Sequence, residues 1–254
     1  MKSRSNISLS VFLSLFGFVF VGMPLISSCG KTNTVNPSTN IRYQIINLSP
    51  DLGSVDLYLN YQKFNGSSIF YPTSSGYFTL PSVITPFQIR PGSTLVPGTV
   101  VSTANLFVID SVLHANRRYT LFIAGLANTT PDSLSYLFTK DDTASNPTTG
   151  RGKVRFINAS PRSKGLDVVA NGTAAFTKQL FLKPSSYLEL PVGNYDFQIY
   201  PTGTTATVLS DLQNVTIQDG KLYTIYTYGL AGKADSLAFG SAVISNGVSF
   251  GVTQ

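Results

Sequence analysis

The feature of this sequence that most constrains its fold is an internal repeat. The run Ile-Asn-Leu-Ser-Pro at residues 46–50 returns as Ile-Asn-Ala-Ser-Pro at residues 157–161, and an aspartate follows each proline six residues later, at Asp56 and Asp167. Further along, Phe-Gln-Ile at residues 87–89 matches residues 197–199. A period of about 105 residues is the size of a domain and exceeds the roughly 20–50 residues of a solenoid unit. The sequence therefore predicts two copies of one fold.

Both copies carry the signals of β-strands. Val55, Leu57 and Leu59 alternate with more polar residues, as do Leu166, Val168 and Ala170. Alternation with period 2 is typical of a half-buried strand, and Gly, Pro, Asn and Asp interrupt the apolar runs every 8–12 residues or so. No segment has sustained helical spacing. We therefore expect an all-β protein with two tandem immunoglobulin-like antiparallel β-sandwich domains of about 100 residues each.

The repeat also sets the expected domain boundaries. The first module spans residues 41–142 and the second residues 152–254, and each is large enough to be expected to fold alone. Residues 143–151 lie in a polar stretch, from Asp141 to Lys153, that contains Ser-Asn-Pro and Gly-Arg-Gly. They are expected to form a linker, which would be the first site of limited proteolysis.

The N-terminal residues have the pattern of a secretory signal peptide. Lys2 and Arg4 precede an apolar stretch over residues 7–21, and small residues lead to Cys29, the only cysteine. The segment resembles a bacterial lipobox, so we expect residues 1–28 to be removed, Cys29 to carry lipid and residues 29–40 to form a flexible tether. An uncleaved membrane helix is the alternative, which the interruptions at Gly22 and Pro24 disfavour.

Composition argues against several classes of function. The net charge is +6 without long Lys/Arg clusters, so no nucleic-acid partner is expected. His114 is the only histidine and Glu189 the only glutamate, which leaves little for a metal site or a glycosidase carboxylate pair. His114 precedes Asn116, which aligns with Gly220, so a hairpin-turn role is expected for it. We expect no catalytic residue, no cofactor and no metal, with a hydrolase using His114 as a remote alternative.

The repeated motif has a structural interpretation. In each copy, a serine can cap a turn, a proline ends the strand, and the aspartate can accept hydrogen bonds from backbone N–H groups of a turn. The alternative is a cation or ligand site at that rim, although one carboxylate is too few for calcium, which needs about 6–8 oxygen ligands. The motif residues are Ser49, Pro50 and Asp56 in the first copy and Ser160, Pro161 and Asp167 in the second.

A candidate binding surface follows from the alternation in two later strands. Tyr226 and Tyr228 lie opposite the expected core face, and Phe122 has the equivalent place in the first copy. Exposed tyrosines are enriched at binding surfaces because they combine apolar area with a hydroxyl. The alternative is that a neighbouring strand, the other module or a loop covers them.

Four short Asp-Ser or Asp-Thr motifs, each followed by an apolar residue, resemble the O-glycosylation acceptor of Bacteroidetes. Asp-Ser is also a common turn pair, so a role in turns is the alternative. The candidate acceptor residues are Ser111, Ser133, Thr143 and Ser236.

The paired motif resembles a bacterial envelope family known as domain of unknown function 4397. Its signature is Ser-Pro-Asp followed by Val-Asp-Val-Tyr, which residues 49–51 and 55–58 fit well, while Arg162 replaces the first aspartate of the second copy. The resemblance covers residues 41–246 and implies immunoglobulin-like modules in secreted or lipid-anchored proteins, mostly of Bacteroidetes-type bacteria, without an established activity.

These observations favour a non-enzymatic, lipid-anchored envelope protein that presents its two modules to a protein or glycan partner. We expect it in the outer membrane and facing the periplasm. A surface-export signal would have acidic residues after Lys31, and this sequence has none there. The alternative is a carbohydrate-binding accessory lipoprotein of a nutrient-uptake system.

Overall fold

The structure is a computed structural model that describes residues 41–80, 86–92, 104–127, 129, 133–141 and 143–248. The expected signal peptide, Cys29 and the tether lie outside the described residues. Within the described part, no helix has the length and apolar character needed to cross a membrane.

The first module is a sandwich of two sheets. One sheet has the strand order β5-β1-β8-β9, and the other has the order β3-β2-β6-β7 with β4 also paired to β2. The strands are β1 (Ile41–Asn47), β2 (Ser54–Leu59), β3 (Gln62–Lys63), β4 (Ile69–Phe70), β5 (Phe78–Leu80), β6 (Phe87–Pro91), β7 (Phe107–Ile109), β8 (Arg118–Ala124) and β9 (Ser135–Lys140).

The second module repeats this arrangement, except that the single strand β12 pairs with β11 where the two short strands β3 and β4 pair with β2 in the first module. Its sheets have the orders β13-β10-β16-β17 and β12-β11-β14-β15, so β10 takes the place of β1 and β16 that of β8. The all-β sandwich fold is confirmed. The strands are β10 (Arg151–Ile157), β11 (Leu166–Ala170), β12 (Thr173–Gln179), β13 (Leu188–Pro191), β14 (Gly193–Pro201), β15 (Ser210–Ile217), β16 (Lys221–Tyr228) and β17 (Gly240–Val248), with a short 3-10 helix at Asp235–Leu237.

One strand pair in each module departs from the expected antiparallel order. β1 runs parallel to β8, with Ile45 opposite Leu121, and β10 runs parallel to β16, with Phe156 opposite Ile225. Parallel neighbours need a long crossover connection. The strands between β1 and β8 supply it because most of them lie in the opposite sheet.

Each sandwich has its own apolar core, built from the alternation seen in the sequence. Val55 and Leu57 of β2 face Tyr43 of β1 and Leu121 of β8 across the first core, and all four are fully or almost fully buried. The second core is formed in the same way by residues that include Val154, Phe156, Leu166, Val168, Phe197, Ile199 and Ile225. Burying a side chain of this size stabilises the fold by about 1.5–3 kcal/mol.

A third apolar cluster joins the two modules, and it corrects the predicted binding surface. Phe122 and Tyr226 meet edge to face with ring centroids 5.9 Å apart, and only 0% and 5% of their surfaces are exposed. Tyr228 is half-buried and packs edge-on against Tyr71 of the other module at 6.2 Å. These aromatic residues therefore form the contact between the modules and not an exposed binding surface.

The third cluster gives the molecule four stacked layers. The side chains of Ile46 and Phe122 project from the outer face of the sheet that contains β1. They pack against Ile157 and Tyr226 on the sheet of the second module that contains β10. Both sheets are thus buried on both faces, which explains why β8 and β16 are buried along almost their whole length. The two sandwiches form one compact unit.

Candidate functional site

The asparagine of each Asn-x-Ser-Pro motif organises the turn that follows β1 or β10. Asn47 accepts a hydrogen bond from the Ser49 N–H at 3.2 Å and donates to the Ile69 carbonyl at 3.2 Å. Asn158 accepts from the Ser160 N–H at the same distance. Both asparagines are fully buried. Their place in the motif alone predicts no such role, and the recurrence of the asparagine in both copies is the signal that points to it.

The serine and proline of the motif lie where a turn begins. The Ser160 hydroxyl donates to the Gly229 carbonyl at 2.6 Å, whereas the Ser49 hydroxyl donates to the Asp51 carboxylate at 3.1 Å. The two copies therefore use the same serine for different bonds. The turns contain Pro50 and Pro161.

Asp167 has the bonding role expected of it. Its carboxylate accepts the N–H groups of Lys178 at 2.7 Å and Gly203 at 3.0 Å, and also the Thr202 hydroxyl at 2.9 Å. Slight burial raises the pKa of Asp167, but these hydrogen bonds outweigh it and hold the pKa below its ordinary value. The carboxylate thus fastens the irregular end of β12 and the turn after β14 to β11.

Asp56 fills the equivalent place with different partners. Its carboxylate is fully buried, forms an ion pair with Lys63 at 2.9 Å and accepts the Asn65 side-chain amide at 2.9 Å. Nowhere in the described part of the chain do three or more His, Cys, Asp or Glu side chains come together as a metal site would require.

His114 lies in the loop between β7 and β8, and its backbone forms a hydrogen bond that recurs in the second module. Its N–H donates to the Tyr119 hydroxyl at 2.9 Å, and Asn116 beside it has φ of 60°, as a turn residue of this kind should. The second module has the same bond from the Gln218 N–H to the Tyr223 hydroxyl at 3.1 Å. The His114 side chain itself is exposed.

Glu189 lies on β13 and ties the expected linker to the second module. Hydrogen bonds from Thr148 lower the pKa of this exposed carboxyl, with Lys153 at 3.3 Å adding to the effect. Lys153 also donates to the Ser145 hydroxyl at 2.7 Å. Residues 143–150 carry no strand but are bonded to the second sandwich at several points.

The candidate O-glycosylation residues are accessible to different degrees. Ser133, Thr143 and Ser236 are exposed, and Ser111 is half-buried. Ser236 lies in the short 3-10 helix. Their modification stays a prediction.

A buried ion pair between the modules is the most unusual polar feature of the structure. Arg155 of β10 reaches across to Asp141, with 2.5 Å between Nη2 and Oδ1, and the two side chains are only 6% and 0% exposed. Asp141 also accepts the hydroxyls of Thr120 at 2.6 Å, Tyr77 at 2.8 Å and Thr139 at 2.8 Å. Burial raises the pKa of Asp141, and Arg155 and the hydroxyls oppose that rise.

The rest of this polar network belongs to the second module. Arg155 donates through Nε to Thr224 at 2.9 Å, and Thr224 donates to Asn246 at 2.6 Å. The side-chain amide of Asn246 donates a hydrogen bond at 3.0 Å to the hydroxyl of Tyr77, which belongs to the first module. A buried charge pair is tolerated only when its remaining bonding capacity is satisfied. Here hydroxyl and amide groups from both modules satisfy it.

Sequence reasoning did not find this network because Asp141 stands at the edge of a polar, turn-rich stretch. The available signal was the repeat itself. Gln44 of β1 and Arg155 of β10 occupy equivalent register positions, opposite Thr120 and Thr224 respectively. The second copy thus has a charge where the first has a neutral amide.

A cleft of about 430 Å³ opens at the side of the first sandwich, between the β3–β4 segment and β5. Its walls combine two phenylalanines with hydroxyl and amide groups, and none of the described lining residues is charged. A smaller cleft of about 260 Å³ occupies the corresponding side of the second sandwich, between β12 and β13, where most of the lining is aliphatic. The lining of the first includes Phe64, Asn65, Ser67, Ser68, Ser74 and Phe78.

Two sandwiches of identical strand order, joined through a buried interface and each with a lateral cleft, define a duplicated β-sandwich protein. The family model described as Domain of unknown function (DUF4397) matches the chain twice, over residues 42–165 and 152–242. The chain belongs to this family and carries its domain in tandem. No curated protein matches the sequence.

Proposed function

We propose that this protein is a non-enzymatic lipoprotein of a bacterial cell envelope, anchored through Cys29, which presents its two sandwiches to a protein or glycan partner. The lateral cleft of the first sandwich carries the binding part of the proposal. Binding sites are commonly concave, with apolar walls and a few fixed polar groups, and volumes of roughly 300–1,000 Å³. The cleft has this size and this mixture of groups.

The bonding of the acidic residues supports a role without catalysis. Asp56, Asp141 and Asp167 are all engaged by donors that hold the fold together. Catalytic carboxylates, by contrast, face a cleft with a pKa matched to proton transfer. The exposed imidazole of His114 lies in the loop between β7 and β8.

The joined architecture supports a role in presentation. Because the interface fixes one sandwich against the other, a cleft on the first would stay in a constant orientation relative to the second. A binding surface on a rigid scaffold loses less conformational entropy when its partner docks.

The anchor is tested by Cys29→Ala, with Ser28→Ala as the matched control beside it. Metabolic labelling with a fatty-acid analogue should mark the wild type and Ser28→Ala but not Cys29→Ala, which should be unprocessed or soluble. Equal labelling of all three proteins would rule out lipidation at Cys29. Protease treatment of intact cells then reports the membrane face, because a periplasm-facing protein should survive it.

A further inference from the structure

We infer that the cleft of the first sandwich, defined by Phe64, Asn65, Ser67, Ser68, Ser74 and Phe78, is a binding site for a neutral saccharide. This inference rests on the proposed binding function of the same cleft and adds the chemical class of its ligand. Three properties of the lining carry it: an aromatic wall, a fixed hydroxyl donor and the lack of charge among the described lining residues.

The aromatic wall is formed by Phe64 and Phe78. Their ring centroids lie 5.5 Å apart with planes inclined by 39°, and 38% of the Phe64 surface is exposed. Phe78 also packs against Tyr43 in the core at 5.8 Å, which fixes its position. The C–H face of a sugar ring is apolar and flat, so it can cover such a wall while its hydroxyls point elsewhere.

The fixed donor is the hydroxyl of Ser74. Its oxygen accepts the Gln44 side-chain amide at 2.5 Å and the Gly76 N–H at 3.0 Å. A serine oxygen has two acceptor sites and one proton. Both acceptor sites are therefore used, and the proton remains for a ligand oxygen in the cleft. Ser67, which is exposed, and Ser68, which is half-buried, add further hydroxyls to the lining of the cleft.

The charge pattern selects a neutral ligand over an acidic one. The described lining contains only phenylalanine, isoleucine, asparagine, glycine, serine and threonine. Beside the cleft, Asp56 forms an ion pair with Lys63 at 2.9 Å and accepts a hydrogen bond from the amide of Asn65, which lines the cleft. An anionic group in the cleft would lose solvation without gaining a cationic partner, which is costly.

The second sandwich lacks these groups at the equivalent positions of its chain. Ser75 and Ser185 mark the register, because their hydroxyls accept the N–H groups of the equivalent residues Ile45 and Phe156 at 2.9 and 2.8 Å. One residue before each of them, the donor Ser74 is matched by Pro184, which has no hydroxyl.

The aromatic wall is replaced in the same way. Phe78 of β5 is matched by Leu188 of β13, since Tyr77 and Tyr187 before them are repeat partners. Leucine and proline therefore stand where the first sandwich has its ring and its donor. The first cleft alone should bind saccharide, and the second supplies substitutions already compatible with the fold.

The test uses the intact lipoprotein in lipid nanodiscs on an array of neutral and acidic oligosaccharides. We expect at least one neutral glycan to bind. Phe78→Leu, which installs the residue of the second copy, and Ser74→Ala should each weaken that binding about tenfold or more in protein that is still folded at the assay temperature. Ser74→Ala also removes the acceptor of the buried Gln44 amide and should therefore lower the melting temperature, so circular dichroism at the assay temperature verifies that each variant is folded. Thr173→Ala in the second cleft is the matched control and should leave binding unchanged.

Three results would overturn the inference: no neutral glycan bound, a preference for acidic glycans, or unchanged binding in both cleft variants. A photoreactive residue at position 68 separates this failure from failure of the proposed function. If the photoreactive residue captures an envelope protein in cells while no glycan binds, the proposed binding function is supported and the saccharide ligand is ruled out. If the photoreactive residue captures no envelope protein and no glycan binds, both the proposed binding function and the saccharide inference are ruled out.

Discussion

Single side chains show how two copies of one fold solve the same local problem differently. Asp56 and Asp167 occupy equivalent strand positions and both fasten nearby segments to the sheet. Asp56 is buried with Lys63 and Asn65, whereas Asp167 is more exposed and holds backbone N–H groups. Two different sets of donors therefore bind a carboxylate at the same strand position.

The lowered pKa of Asp167 predicts an acid-sensitive contribution to stability. A carboxyl whose folded pKa lies below its unfolded value, about 3.9, stabilises the fold above that value and loses the effect as the pH falls through the folded pKa. Asp167→Asn should therefore destabilise the protein at pH 7 by about 0.5–1.5 kcal/mol, but less at pH 3.

Urea denaturation at several pH values measures this difference. Asp211→Asn on β15 is the control, because Asp211 is exposed and its hydrogen bond is to the neighbouring side chain of Gln213. A loss for Asp167→Asn that stays constant down to pH 3 would contradict the assigned role.

At the scale of elements, the ends of the strands matter as much as their apolar faces. β16 ends at Tyr228, and Gly229 follows with φ of 71°. The carbonyl of Gly229 also accepts a hydrogen bond from the hydroxyl of Ser160. The turn thus links the repeated Ser-Pro motif to the end of a central strand.

Gly229→Ala should be strongly destabilising. A Cβ atom there would overlap the carbonyl oxygen of Ala238, and the left-handed backbone adds about 1–2 kcal/mol for any residue with a side chain. We expect a total loss above about 2 kcal/mol in thermal or urea unfolding.

Gly232→Ala is the matched control for the turn. It has a similar φ of 76°, but nothing lies within 4 Å of its Cβ position. It should show only the backbone cost. Equal losses for the two variants would mean that the close approach to Ala238 contributes nothing.

At the scale of the whole molecule, the interface turns two modules into one unit. An apolar cluster and a buried polar network lie side by side between the same two sheets. Separate halves would expose Phe122 and Tyr226 and leave one charge of the Asp141–Arg155 pair alone. The expectation that residues 41–142 and 152–254 fold separately therefore stays a prediction, and the interface adds a cost to it.

The buried pair should show strong energetic coupling. Asp141→Asn or Arg155→Gln alone leaves one buried charge without its partner, which typically costs about 3–5 kcal/mol. The double variant removes both charges and places in β10 the glutamine that β1 has at this position. It should cost clearly less than the sum of the single changes.

Urea denaturation of the four proteins gives the coupling energy, which we expect to exceed about 1 kcal/mol. Gln198→Asn on β14, away from the interface, serves as a control for polar substitution on a strand. Additive losses would show that Asp141 and Arg155 are not energetically coupled, contrary to this prediction.

The sequence by itself determined the duplication, the strands and many turns. These features depend on local physics: alternation marks one face of a strand, and a pair such as Asn171-Gly172, with φ of 46° and 81°, closes a hairpin wherever it occurs. The repeat also determined that both copies share a single strand order, because equivalent local patterns lead to equivalent sheets.

Only the tertiary structure decided what the outer faces do. An apolar outer face such as that of Phe122 and Tyr226 has the same pattern whether it binds a partner or packs on another module. Likewise, Asp141 looks like a turn residue until Arg155, fourteen positions later, is brought against it. The cleft, too, unites residues from separate strands. Such contacts depend on how sheets stack, which no local pattern encodes.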